Sequence, residues 1–114
     1  MKLLKEGADA LGITLGEKSQ EKFRVYTRLL LEWNEKINLT AVTQEREIII
    51  KHYLDSLSLG SIVDLEGKNL IDVGTGAGFP GIPLKICDES LNVMLLDSLE
   101  KRVKFLKEVI SLLS

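Results

Sequence analysis

Two carboxylates and a run of glycines are the residues here whose types and spacing could do chemistry. Asp72-Val73-Gly74-Thr75-Gly76-Ala77-Gly78 places a carboxylate just ahead of three alternating glycines, and Phe79-Pro80-Gly81 follows. Glycine permits positive φ and lets a backbone approach a ligand without a Cβ in the way. Asp97 lies 21 residues after Gly76. At that distance an acidic side chain can reach ribose hydroxyls, and a carboxylate can accept two hydrogen bonds from a vicinal diol. The pattern is that of a nucleoside-containing cofactor held at a glycine loop.

Two cofactor classes compete for it. Gly76-Ala77-Gly78-Phe79-Pro80-Gly81 also spells the dinucleotide fingerprint, which is weak when it stands alone. Asp72 separates the two. A dinucleotide would bring pyrophosphate near a carboxylate that repels it. S-adenosylmethionine has no phosphate, and its sulfonium and ammonium are cations that Asp72 attracts. The reading is therefore an adenosylmethionine site built from Asp72, Gly74, Gly76, Gly78, Phe79 and Asp97. A dinucleotide oxidoreductase and a purely structural glycine loop stay open as alternatives.

Such a loop needs a strand before it and a helix after it. Asn69 to Val73 is a short apolar run that predicts a buried parallel strand. Ile82 to Cys87 predicts a helix, with Pro83 tolerated in its first turn. The helix start near Gly81 is expected to point free N–H groups at the loop. Asn92 to Asp97 predicts a second buried strand. The helix from Leu99 sets Val103, Leu106, Val109, Ile110 and Leu113 on one side. This βαβα order opens a doubly wound parallel sheet of Rossmann-like type, with ligands at the carboxyl ends of the strands.

The first 64 residues read as helical, and residues 65–114 as the start of the α/β unit. Leu3, Leu4 and Leu11 predict a short helix that stops near Gly12. Gly16 is placed to cap a second helix with Glu17 in its first turn. Phe23, Tyr26, Leu30, Trp33 and Ile37 step by three and four along one face. That spacing assigns Tyr26 and Trp33 to the core rather than to base stacking. Thr43 is expected to cap a third helix through Ile48, Ile49, Ile50, Tyr53, Leu54 and Leu57, ended by Gly60.

The 114 residues carry a net charge of −2, which gives no bulk attraction to nucleic acid. Any RNA contact must be local. Lys101, Arg102, Lys104 and Lys107 on the last helix are either such a patch or a solvated face. Cys87 is the single cysteine and is assigned to packing, which fits a reducing compartment. The N-terminus lacks an apolar signal core and no apolar run spans a bilayer, so a cytoplasmic protein without membrane contact is expected. His52 stands three residues before Asp55, and a structural hydrogen-bonded pair on one helix face is expected. One histidine with scattered acids predicts no metal site.

Taken together, these residues resemble the RsmG (GidB) family of methyltransferases. The matching pieces are Glu32-Trp33-Asn34 with Asn38-Leu39-Thr40, His52-Tyr53-Leu54-Asp55-Ser56, Asp72 through Pro83, and Leu96-Asp97-Ser98 with Lys101-Arg102. The Phe79-Pro80-Gly81-Ile82-Pro83 extension is more specific than the glycine loop. Lys51 stands where the family commonly has arginine, keeping the charge without the bidentate fork.

The resemblance implies methylation of N7 of a guanine in small-subunit ribosomal RNA, with that RNA or a ribosomal particle as partner and no obligate protein partner. It implies cofactor contacts at Gly74, Gly76, Phe79 and Asp97, and a helical region packed beside the cofactor. It also implies further strands beyond Ser114. The sheet is therefore expected to be truncated and residues 1–114 to transfer little or no methyl by themselves. A non-catalytic cofactor-binding remnant is the alternative in that case. No catalytic residue is assigned, because guanine N7 is already nucleophilic and transfer needs mainly positioning.

Overall fold

The computed structural model describes residues 1–114. Helix α1 (Lys2–Ala10) buries Leu4 and Ala8, one turn apart, and the chain turns at Gly12 with φ +80°. Helix α2 (Glu17–Asn34) starts behind an extended Gly16 with Glu17 in its first turn, as the sequence predicts. Its buried side chains are Gln20, Phe23, Tyr26, Thr27, Leu29 and Leu30. Trp33 is only half-buried, edge-on to Phe105, and its Nε1 donates to Glu108.

The third helical stretch differs from expectation in three ways. Gln44, not Thr43, precedes it, and no side chain caps it. It runs as α3 (Glu45–Ile48), a π-helical segment (Ile49–Leu54) and α4 (Asp55–Ile62). The wider π turn lets Ile48 and Ile49 both be buried and still brings Tyr53 and Leu57 to the core. Gly60 does not break the helix. A Cβ there would lie 3.2 Å from Leu84, so the glycine instead permits close approach of α4 to the helix that carries Leu84.

Strands β1 (Asn69–Val73) and β2 (Asn92–Leu96) pair in parallel, Asn69 opposite Asn92 through Val73 opposite Leu96. Helix α5 (Gly81–Cys87) connects them and α6 (Glu100–Leu113) follows. This is the predicted opening of a doubly wound sheet, in a two-stranded form. The expectation of fully buried strands fails, however. Leu70, Asp72, Val93 and Leu95 face the helices, while Ile71, Val73, Met94 and Leu96 point to the other side and are exposed, Val73 at 75%. Alternation puts half of each strand on that face, and no element of residues 1–114 covers it.

One cluster of 19 buried apolar residues runs from Leu4 and Phe23 through Ile82 and Leu84 to Phe105 and Val109. It thus crosses the boundary read near residue 64. The largest contributor missing from the sequence reading is Phe105, fully buried in α6. Ile110, assigned to the packed side of α6, is half exposed. With Val93, Leu95, Val103 and Leu106 it lines an open apolar groove of about 420 Å³ between α5, β2 and α6. Cys87 is half-buried, and burial pushes its thiol up to about 12, in keeping with a packing role.

Candidate functional site

The glycine loop sits between the carboxyl end of β1 and the start of α5, beside the carboxyl end of β2. Register makes this possible. With Val73 opposite Leu96, the loop leaves β1 just where β2 ends. Gly74 and Thr75 both donate their N–H to the carbonyl of Leu96, at 2.8 and 3.1 Å. Gly74, Gly76 and Gly78 all have positive φ, at +67°, +60° and +101°. No atom lies within 4 Å of where a Cβ would stand at Gly74 or Gly76. Those two glycines face open space, on the side where a ligand can come close to the backbone.

Asp72 is buried, and its Oδ2 accepts from the Thr75 hydroxyl at 2.7 Å and from the Gly81 N–H at 3.0 Å. It braces both ends of the loop. Its other oxygen makes no hydrogen bond within the protein and is not sealed from solvent. One carboxylate thus holds the loop and still presents negative charge beside it.

Asp97 closes the loop from the β2 side. Oδ2 accepts from the Gly76 N–H at 2.9 Å, and Oδ1 from the Leu99 N–H at 2.9 Å. Arg102 lies 3.7 Å from Oδ2, and the Asp97 side chain is 2% exposed. Each oxygen keeps a second lone pair, and Arg102 stands beside Oδ2. Arg102 therefore belongs to this site rather than to the basic cluster in which the sequence grouped it. Lys104 pairs with Glu100, one turn back on α6.

The Leu99 N–H hydrogen bond, the Gly76 N–H hydrogen bond and Arg102 together hold the Asp97 carboxyl below the usual carboxylate range, against some desolvation. A depressed folded pKa contributes stability that is fully present above the unfolded value near 3.9 and is lost as pH falls through the folded value. Asp97→Asn is therefore expected to lower the urea midpoint at pH 7, and the gap to the unaltered chain should narrow by about pH 3. An equal gap at both pH values would mean that the carboxylate's charge contributes nothing there.

The expected free N–H groups at the start of α5 are not free. Gly81 donates to Asp72, Ile82 to the Gly78 carbonyl and Leu84 to the Pro80 carbonyl, while Gly78 donates to the Thr75 carbonyl. With Gly74, Thr75, Gly76, Gly78, Gly81 and Ile82 all bonded within the protein, only the Ala77 and Phe79 amides are left for a pyrophosphate, which binds through several such groups.

The helical region grips this loop through contacts that no local pattern in the sequence announces. The hydroxyl of Tyr26, in α2, donates to the Ala77 carbonyl. Tyr26 is completely buried, and burial first, then Tyr53 and Asp72, raises its pKa well above the ordinary tyrosine value, so it stays a donor. Phe79 is half-buried, against the rings of Tyr26 and Tyr53 at 5.9 and 6.0 Å and stacked on His52 at 4.4 Å. His52 does not pair with Asp55 as expected. Its Nε2 meets the Thr40 hydroxyl at 2.8 Å, because the π segment turns the ring toward the loop and leaves Asp55 exposed. Burial lowers the His52 pKa, with Asp55 opposing and Lys51 adding to the shift. No aromatic periodicity signals these contacts; only the presence of Tyr26, His52 and Tyr53 in the helical half hinted at them.

A family model described as rRNA small subunit methyltransferase G matches residues 19–114. Among curated relatives named Ribosomal RNA small subunit methyltransferase G, that of Acetivibrio thermocellus is 56% identical over 109 residues, 96% of this chain and 45% of the relative. That of Pelotomaculum thermopropionicum is 54% identical over 108 residues, 94% of this chain and 45% of the relative. That of Clostridium perfringens strain SM101 is 48% identical over 113 residues, 98% of this chain and 47% of the relative. The chain spans a little under half the length of these relatives. With the family match running over most of its residues, the chain belongs to the rRNA small subunit methyltransferase G family.

Proposed function

We propose that residues 1–114 form the cofactor-binding half of an S-adenosylmethionine-dependent methyltransferase acting on N7 of a guanine in small-subunit ribosomal RNA. The observation that carries the reading is the loop itself. Gly74 and Gly76 face open space, most of the loop amides are bonded within the protein, and Asp72 keeps one carboxylate oxygen available beside it. That arrangement suits a cationic cofactor without phosphate. When bound, the cofactor supplies an electrophilic methyl carbon. Asp72 offsets positive charge, Gly74 and Gly76 admit the ligand to the backbone, Gly78 and Phe79 shape the wall, and Asp97 faces the ribose once Arg102 moves aside.

Nothing in the reaction calls for a strong base, since guanine N7 carries its own lone pair. The work of residues 1–114 is to bind and orient. RNA, free or in a ribosomal particle in the cytoplasm, would meet the site from the open side. The rest of the site would come from sequence equivalent to the remaining length of the relatives. No helix of the chain is long and apolar enough to cross a membrane.

Calorimetric titration of the chain with S-adenosylmethionine, S-adenosylhomocysteine and the nicotinamide and flavin dinucleotides tests the cofactor. Binding of the first two alone is expected. Dinucleotide binding without adenosylmethionine binding would falsify the assignment. Labelled methyl transfer to unmodified small ribosomal subunits is expected from a protein of the relatives' length and to be negligible from residues 1–114. Full transfer by this chain would show that it holds a complete site.

A further inference from the structure

Four short sequence motifs with no evident common purpose meet at one point. Asn34 ends α2, and its Oδ1 accepts from the N–H groups of Leu39 and Thr40 at 2.8 and 3.0 Å. This folds residues 35–40 back onto the helix end and fixes Thr40. The Thr40 hydroxyl accepts from the Val42 N–H at 3.1 Å and lies 2.8 Å from His52 Nε2. That oxygen has one proton to give. Donating it to Nε2 gives the hydroxyl both a donor and an acceptor partner and places the ring proton on Nδ1.

The His52 ring then lies flat on Phe79, 4.4 Å between centroids and 11° between planes. Behind these two half-buried rings stand Tyr53, Tyr26 and Phe23, all fully buried. Tyr53 cannot yield, because its hydroxyl is tied to Thr27 at 2.8 Å, and Thr27 to the Phe23 carbonyl at 2.8 Å. Phe79 is therefore held from behind by tyrosines and over its face by His52. The π segment makes this possible by presenting two successive residues, His52 and Tyr53, to the same ring.

We propose that His52 is a positioning residue for the cofactor pocket: held by Thr40, and through it by Asn34, it fixes the Phe79 ring as the wall against which the adenosyl group packs. The proposal rests on reading the glycine loop as the cofactor site. Stacking alone would be served by any flat apolar side chain. The directed bond to Thr40 is what an imidazole adds, since it sets the ring plane as well as its position. The helical region thereby acts on the cofactor pocket without touching the cofactor.

The test uses the full chain with Thr40→Val, Thr40→Ser and His52→Ala. It reads adenosylmethionine affinity, the thermal midpoint, and the amide resonances of Gly76 to Phe79 without cofactor. Thr40→Val is expected to weaken binding about fivefold, the scale of one directed hydrogen bond, and Thr40→Ser by less than about twofold. His52→Ala should cost about tenfold or more, because stack and bond go together. S-adenosylhomocysteine should weaken by the same factors, since the wall faces the part common to both. The loop amides should shift in Thr40→Val and not in Thr40→Ser.

Unchanged affinity and unmoved amides in Thr40→Val would overturn the proposal. So would losses that merely follow the thermal midpoint. If His52→Ala does not fold, the two Thr40 variants decide. If the unaltered chain binds no adenosylmethionine, the cofactor assignment fails, and the amides alone then decide whether Thr40 and His52 set the loop.

Discussion

Replacing Asp72 by alanine is expected to unlock the glycine loop and abolish cofactor binding, at a cost of about 3 kcal/mol in stability. The side chain is buried, and one oxygen serves two donors, the Thr75 hydroxyl and the Gly81 N–H. Alanine leaves both without a partner. A hydrogen bond to a charged group is worth about 1.5–3 kcal/mol, and a stranded buried donor costs its desolvation in addition. Asparagine separates geometry from charge. Its amide oxygen can accept both bonds, so Asp72→Asn should keep all but about 1 kcal/mol of the stability. What it loses in adenosylmethionine affinity, relative to S-adenosylhomocysteine, then measures the attraction between the carboxylate and the sulfonium. Urea unfolding and calorimetric titration of the same samples give both quantities. An Asp72→Ala chain as stable as the original would show that the brace contributes nothing.

Gly78→Ala should be comparably severe, and Gly76→Ala should not. At Gly78 a Cβ would stand 2.5 Å from the Ile82 side chain and 2.8 Å from the Tyr26 hydroxyl, on a backbone with φ +101°. Tyr26 cannot retreat, because it is fully buried among Tyr53 and Phe79. Overpacking costs typically about 1–3 kcal/mol, and a strained φ adds about 1–2 kcal/mol. The expected total is about 3 kcal/mol, with loss of the Tyr26 bond to Ala77. At Gly76 the same methyl meets nothing, so the stability cost should be about 1 kcal/mol. Cofactor affinity should nevertheless fall at least about tenfold there, because the methyl occupies the space through which a ligand approaches. Thermal unfolding with and without adenosylmethionine distinguishes the two. Equal stability losses at both positions would contradict this account of the loop.

The parts of the fold legible in the sequence were those governed by local pattern. Gly16 and Glu17 open α2 as read, and the strand–loop–helix around residues 69–87 falls within a residue of its expected limits. Packing between distant segments overrode local signals elsewhere. Gly60 looks like a helix breaker until Leu84 is brought against it. Three successive isoleucines gave no hint of the π segment, which arises because the core needs Ile48, Ile49 and Tyr53 together. Asp72, Gly74, Gly76, Gly78, Phe79 and Asp97, the candidate residues, lie on the loop and the two strand ends beside it. Their hydrogen-bond partners were not legible, because those depend on register. Asp97 reaches Gly76 only because β1 and β2 pair in step. The partners of His52 and Phe79 lie in different halves of the chain, and no periodicity links them.

The uncovered sheet face has a consequence for handling residues 1–114 in solution. Ile71, Val73, Met94 and Leu96 form an apolar stripe beside unpaired strand edges, which is a template for pairing with other chains. Concentrating the chain should therefore drive it into assemblies that scatter light, and Val73→Lys or Leu96→Lys should keep it dispersed without disturbing the buried side of the sheet.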